Sequence, residues 1–262
     1  MTYTAGRIVN DADAHTMETQ DWLAPYLEGE YKEMYSQVYS KREGGDRIVK
    51  MIDAAKARKN DPEARAKALE NPIEGAKGWL GYGGFDKDER VEALDWLGFN
   101  SQLVFPTFGL GAITKATDDD QRYAAATALN KAQQDFCDAD ARMDCVAFAP
   151  LDDPDRALAE AKRAVGAGAK AVMFSAGPAG DKSPGHPDLD PFWQFLQDSR
   201  IPFMLHIGPG TKTQPPKFKN NGRDRAADLH GGGENLRFPD FLCLWFAPQE
   251  FLTAMVYDGV FM

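Results

Sequence analysis

The sequence predicts an α/β fold on a parallel sheet, and three observations carry that prediction. From Ser101 onward short apolar runs alternate with longer amphipathic ones, the pattern of successive strand and helix units. Each junction bears turn or cap residues where such a unit needs them. Runs such as Ala171 to Phe174 are apolar throughout rather than at alternate positions, as expected for strands covered by helices on both faces.

The elements follow in order. Arg7 to His15 holds the first strand, counted over residues 7–13. Residues 28–85 form an insertion, charged and helical in part, that closes with the glycine and aromatic segment GWLGYGGF. Because it joins a strand's end to the next helix, it is expected on the carboxyl face of the sheet, as a lid or pocket wall. Its stretch from Lys41 to Lys67 mixes bases with many acids and reads as a solvated excursion. Asp86 to Leu97 is the helix leading into the second strand, 101–105. Thr117 is placed as the cap of a helix from Asp118 to about Met143, with Asp118, Asp119 and Asp120 complementing the positive end of its dipole. A third strand, 144–150, leads to an Asp153 cap with Pro154 at the first helical position and a helix stopped by Gly166 and Gly168. The fourth strand is 170–174, Asp190 and Pro191 open the helix PFWQFLQDSR, and the fifth strand is 201–206. Beyond it lie a polar loop around Gly231 to Gly233 and an amphipathic stretch from Pro248 to Phe261. Five strands are counted, where closing a barrel takes about eight. The whole of 1–262 is read as one domain.

Composition narrows the function classes. With 30 Lys plus Arg against 40 Asp plus Glu, a net charge of −10, the chain lacks the cation surplus that binding phosphate backbones requires, which argues against nucleic acid as a partner. No apolar run approaches the ~20 residues that span a bilayer, and the start lacks the blocks of a signal peptide, so a cytoplasmic protein without a membrane partner is expected. Cys137, Cys145 and Cys243 are odd in number and widely spaced. They read as small apolar residues rather than as a disulfide or metal framework.

Chemistry concentrates at two strand ends. In the segment Asn10 to His15, polar side chains fall at every second position, so a regular strand would point Asp11, Asp13 and His15 to one face. Two acids and a histidine inside a sheet are costly without a counter-ion, and such groups can ligate a divalent metal at about 2.0–2.2 Å. The other reading is a polar strand face in solvent. His206 follows the apolar run Ile201 to Leu205. In a closed barrel the first and fifth strands face each other, which would bring His15 and His206 toward a common centre.

The Asp-x-Asp-x-His start continuing through Met17-Glu18 and Asp21-Trp22-Leu23, the segment PLDDPDRALAEAKRAVGAGAKAVMF and the segment DPFWQFLQDSRIPFMLHIG together resemble the amidohydrolase-related metal-dependent hydrolases. The similarity is greatest to the branch that includes aminocarboxymuconate-semialdehyde decarboxylase and resorcylate decarboxylases, and covers residues 7–27 and about 86–210. The resemblance implies a (β/α)8 TIM barrel whose metal is held by His-x-His on the first strand, a histidine ending the fifth and an aspartate ending the eighth. By position it assigns Asp13, His15 and His206 as metal ligands, with Asp13 departing from the family's histidine. A carboxylate there hardens the site; one divalent ion is implied, zinc first, with manganese or magnesium as alternatives. The fourth strand ends in Phe174 and Ser175 rather than lysine, which disfavours a carbamylated two-metal centre. No counterpart of the sixth-strand histidine or the eighth-strand aspartate is found, so the barrel is expected to be incomplete, about five of eight βα units, cut before the sixth strand.

The activity implied is hydrolysis of a small organic, aromatic or carboxylate-bearing substrate. Decarboxylation by the same family, or a silent truncated fragment, are the alternatives. Glu18 and His186 are the further catalytic candidates. Glu18 is placed behind the ligands or against substrate; His186 is placed as a contact for an anionic substrate, with a plain surface-loop role as its other reading. His230 reads as exposed, and Trp22, Trp79, Tyr82 and Phe108 as walls of an apolar pocket. A small molecule is the expected partner, with self-association left open.

Overall fold

The computed structural model describes residues 2–32, 45–70, 78–208, 210–220, 222 and 238–262; His230 and the three glycines after it lie outside them. Five strands form a single parallel sheet: β1 (Asn10–His15), β2 (Ser101–Phe105), β3 (Met143–Phe148), β4 (Ala171–Phe174) and β5 (Phe203–Leu205), ordered β1-β2-β3-β4-β5. The sheet curls, so that side chains from its first and last strands meet. This is the parallel half of an incomplete α/β barrel, as the alternation of elements predicts.

The helices between the strands start where their caps dictate. In α3 (Lys87–Leu97) the Asp86 carboxylate accepts from the amides of Asp88 and Glu89, and Gly98 ends the helix at φ +76, a conformation glycine adopts freely. After the short α4 (Leu110–Thr114), helix α5 (Asp119–Cys137) is capped by Asp118, whose carboxylate accepts from the Gln121 amide at 2.8 Å. The cap is thus Asp118 and not Thr117, because Asp118 has the extended backbone and the reach. The helix also ends earlier than Met143, in a turn where Arg142 forks onto Asp140 before β3 begins. In α6 (Pro154–Gly166), Asp153 accepts from Asp155 and Arg156. Helix α7 (Asp190–Ser199) is preceded by a 3-10 turn, Pro187–Leu189, so Asp190 is its first residue rather than its cap. After the short α8 (Pro216–Lys219) and α9 (Phe238–Leu244), α10 (Phe246–Tyr257) buries Ala247, Phe251 and Met255. These recur every four residues and pack one stripe of the helix inward. Phe251 stacks on Phe174 of β4 at 5.4 Å, which seats α10 against the fourth strand.

Between β1 and α3 the described part of the insertion comprises α1 (Gly45–Arg58), α2 (Pro62–Glu70) and a 3-10 turn at Gly78–Leu80. It does not float in solvent throughout. Ile52 and Trp79 are buried together against Met17, Phe85 and Phe108. The Arg58 guanidinium lies on the buried Glu89 carboxylate at 2.6 and 3.0 Å and also donates to Leu80 O at 2.7 Å. A bidentate pair of this kind fixes both partners. Among the described residues no helix is long and apolar enough to cross a membrane.

Candidate metal centre

Strand β1 departs from regular pairing where its chemistry lies. Asn10 and Asp11 pair with Ser101 and Gln102, but the next pair is Ala14 with Val104, so β1 carries one extra residue around Ala12 and Asp13. A bulge of this kind breaks the two-residue alternation and re-aims the side chains after it. Asp11 therefore does not join Asp13 and His15, in correction of the face that regular alternation predicts. Its carboxylate reaches forward along β1 and across to β2, accepting from the Asp13 amide at 3.1 Å and from Gln102 Nε2 at 3.0 Å.

Asp13, His15 and His206 do come together. Asp13 Oδ1 lies 3.2 Å from His15 Nε2 and 3.0 Å from His206 Nε2, the three donor atoms fall within 4.8 Å of one another, and the two rings are 5.0 Å apart. Phe105, at the end of β2, lies beneath both imidazoles, at 5.7 Å from His15 and 4.9 Å from His206. The imidazoles are about one quarter exposed, at 23% and 22%, whereas Asp13 is 68% exposed, so the cluster is walled below and open above.

The far side of each ring decides what the near side can do. His206 Nδ1 is 2.7 Å from Ile207 O. A carbonyl only accepts, so Nδ1 carries the proton and neutral His206 presents a bare Nε2 lone pair to the Asp13 carboxylate. Two lone pairs facing each other at 3.0 Å repel unless a proton or a metal cation lies between them. His15 Nδ1 lies 2.9 Å from Thr107 Oγ1. Burial first, and His206 second, hold the His15 imidazole below its ordinary pKa, which favours the neutral, metal-ligating form. Ligands at 2.0–2.1 Å in a tetrahedral zinc site sit ~3.3 Å from one another, near the observed 3.0 and 3.2 Å. The donor set of two imidazoles and one carboxylate therefore fits a divalent ion.

Two buried side chains hold this arrangement. Glu18 is 1% exposed. Its oxygens accept from the Thr107 amide at 2.8 Å and the Phe108 amide at 2.7 Å. Burial pushes its carboxyl above the usual range while those amides pull the other way. The carboxylate is thus spent on anchoring the loop after β2. Arg90, on α3, donates to His15 O at 2.7 Å, Gly83 O at 2.7 Å and Gln102 Oε1 at 3.2 Å. Burial pushes its guanidinium down to about 10. Neither Thr107 nor Arg90 stands out in the sequence: one is a loop residue and the other an ordinary helix charge, and only a hydrogen-bond map reveals them.

The other candidates are placed elsewhere. His186 accepts from the Asp188 amide through Nδ1 at 3.2 Å, capping the 3-10 turn before α7, and is outside the cluster of three. Trp79 and Phe108 stack at 4.4 Å, but Tyr82 bonds Glu92 and Trp22 packs against Phe136 of α5 at 5.7 Å. Of the four aromatic residues, Trp22 borders a cleft of about 400 Å³, together with Tyr26, Phe85 and Phe136. The cleft lies in the helix layer, and none of Asp13, His15 or His206 lines it.

The amidohydrolase family model matches residues 11–254, spanning the sheet from Asp11 of β1 through β5 and the whole cluster. The chain belongs to the amidohydrolase family. Among solved structures, this amidohydrolase is similar to an amidohydrolase from Mycobacterium avium subsp. paratuberculosis K-10, with a TM-score of 0.60 and 18% identity over 98% of this chain and 70% of that one. It is also similar to IDCase from Metarhizium anisopliae in its apo form, with a TM-score of 0.58 and 15% identity over 100% of this chain and 64% of that one. The chain therefore spans roughly two thirds of the length of these relatives, and at such identities the likeness is one of fold. No curated protein matches the chain.

Proposed function

We propose that this amidohydrolase chain holds one divalent metal ion, zinc first with manganese or magnesium as alternatives, and serves hydrolysis of a small organic, aromatic or carboxylate-bearing substrate. The single observation that carries the reading is the convergence of Asp13 Oδ1 with the Nε2 atoms of His15 and His206, brought from the two ends of the sheet. When bound, a divalent ion there polarises a carbonyl or carboxylate oxygen and makes water more acidic. The remaining work belongs to the chain. Asp13 supplies the negative charge that offsets the ion, and the imidazoles, fixed from behind by Thr107 and Ile207, keep Nε2 aimed at the centre. Phe105 excludes water from beneath the rings. The exposed side of Asp13 leaves room for substrate. Glu18 acts behind the ligands through Thr107 and Phe108, and His186 is offered as a contact for an anionic substrate from the β4–α7 loop.

The test is metal analysis and calorimetric titration of the purified chain with zinc and manganese, followed by product analysis on carboxylate-bearing amides, esters and aromatic acids. Stoichiometric binding with hydrolytic products supports the proposal. Release of carbon dioxide from an aromatic acid would replace hydrolysis by decarboxylation, and absence of binding for either metal would end the metal reading.

A further inference from the structure

We infer that Thr107 is the positioning residue of His15: its hydroxyl, held in place by the buried Glu18 carboxylate, keeps the His15 ring turned with Nε2 toward Asp13 and His206. The inference rests on the metal reading above and adds a residue to it. Thr107 lies just beyond β2 and outside any helix, where a side chain would ordinarily be free to wander. Here it is pinned. Glu18 takes two consecutive amides, those of Thr107 and Phe108, from a position that is itself out of solvent. Two residues on, a Cβ added at Gly109 would come within 2.4 Å of Leu129 Cδ1 and 3.3 Å of Glu18 Oε1, so the loop is packed tightly against the same carboxylate. The result is a fixed hydroxyl 2.9 Å from His15 Nδ1.

The two histidines are held differently. His206 leans on the carbonyl of its own neighbour, Ile207, which no substitution can remove. His15 leans on a side chain 92 residues away. When Nε2 acts as ligand, Nδ1 carries the ring proton, and the Thr107 oxygen is the acceptor that receives it. Partners of this kind orient a metal-binding imidazole and raise its basicity, and losing one commonly weakens metal binding about 10–100-fold.

The experiment compares the full chain with Thr107→Val, which keeps the shape and loses the hydroxyl, and Thr107→Ser, which keeps the hydroxyl. Zinc and manganese affinities are measured by calorimetric titration. The zinc-loaded proteins are also compared by nitrogen-proton correlation spectra of their histidine rings. The valine variant is expected to bind about 10–100-fold more weakly and to lose the protected Nδ1 proton of His15 while that of His206 stays. The serine variant is expected to restore both. Where the valine variant does not fold, Thr107→Ala takes its place. Equal affinity in folded wild type and valine variant overturns the role of Thr107 and leaves the metal reading standing. Equal losses in the serine and valine variants also overturn it, by showing that packing and not the hydroxyl matters. Failure of the wild type to bind either metal overturns the metal reading, and this role with it.

Discussion

At the scale of single residues the cluster is a charge arrangement whose members have unequal duties. Asp13 brings the formal negative charge, and Asp13→Asn keeps the shape while removing it. That variant is expected to bind zinc at least about tenfold more weakly, measured by competition with a coloured chelator. Glu18 is different, because its two oxygens satisfy two amides and an amide side chain offers only one acceptor oxygen. Glu18→Gln is therefore expected to lose about 1–3 kcal/mol of stability, read from the urea midpoint. The same pair of proteins tests a pH dependence. Burial holds the Glu18 carboxyl above its unfolded value, so the folded chain binds that proton more readily than the unfolded chain. The Glu18 contribution is then fully present below the unfolded pKa and declines as pH rises through the folded one. The glutamine variant should show a flatter stability profile across that window. His15 was legible in the sequence because it closes the Asp-x-Asp-x-His alternation, and His206 because it ends an apolar strand. Thr107 and Arg90 were not, because a hydroxyl in a loop and an arginine in a helix carry no sequence pattern that says which ring or carbonyl they will meet.

At the scale of elements the caps made the helix starts readable. Asp153 accepts the amides that its position in the chain predicts, whereas Asp86, read as the first residue of its helix, is its cap; Asp153→Ala is expected to cost about 1 kcal/mol, seen as an earlier thermal transition. Asp118 was harder to distinguish from Thr117, since both are good caps and only the backbone conformation separates them. The bulge in β1 was not legible at all. Asp11, Asp13 and His15 alternate perfectly in sequence, yet one extra residue in the ladder sends Asp11 to Gln102. The turn that leads into α3 shows the same sensitivity to local geometry. Gly83 has φ +71, and a Cβ there would lie 2.6 Å from Arg90 Cα. Gly83→Ala should destabilise the chain by more than about 1 kcal/mol and weaken zinc binding as well, because Arg90 ties the same turn to His15 O.

At the scale of the whole molecule the order of the strands follows from their order in sequence, since each parallel neighbour needs a crossover and the alternation supplies one. The curl of the sheet was reached only by assuming barrel geometry. Burial is uneven. The α9–α10 region exposes Leu242, Trp245, Phe246, Val256 and Tyr257, more apolar surface in one place than scattered exposed residues would give. The folded chain is expected to enhance the fluorescence of an apolar-surface dye, and Trp245→Glu with Val256→Glu should reduce that signal without moving the urea midpoint.

Asp13 and His206 are 193 residues apart in the chain and belong to opposite margins of the sheet. A cation shared between them would act as a clasp, so that opening the curl would require giving up a ligand. Heat resistance would then depend on the supply of free ion, gaining about 2.7 kcal/mol at a hundredfold excess over the dissociation constant. His206→Ala would melt at one temperature whatever the ion concentration.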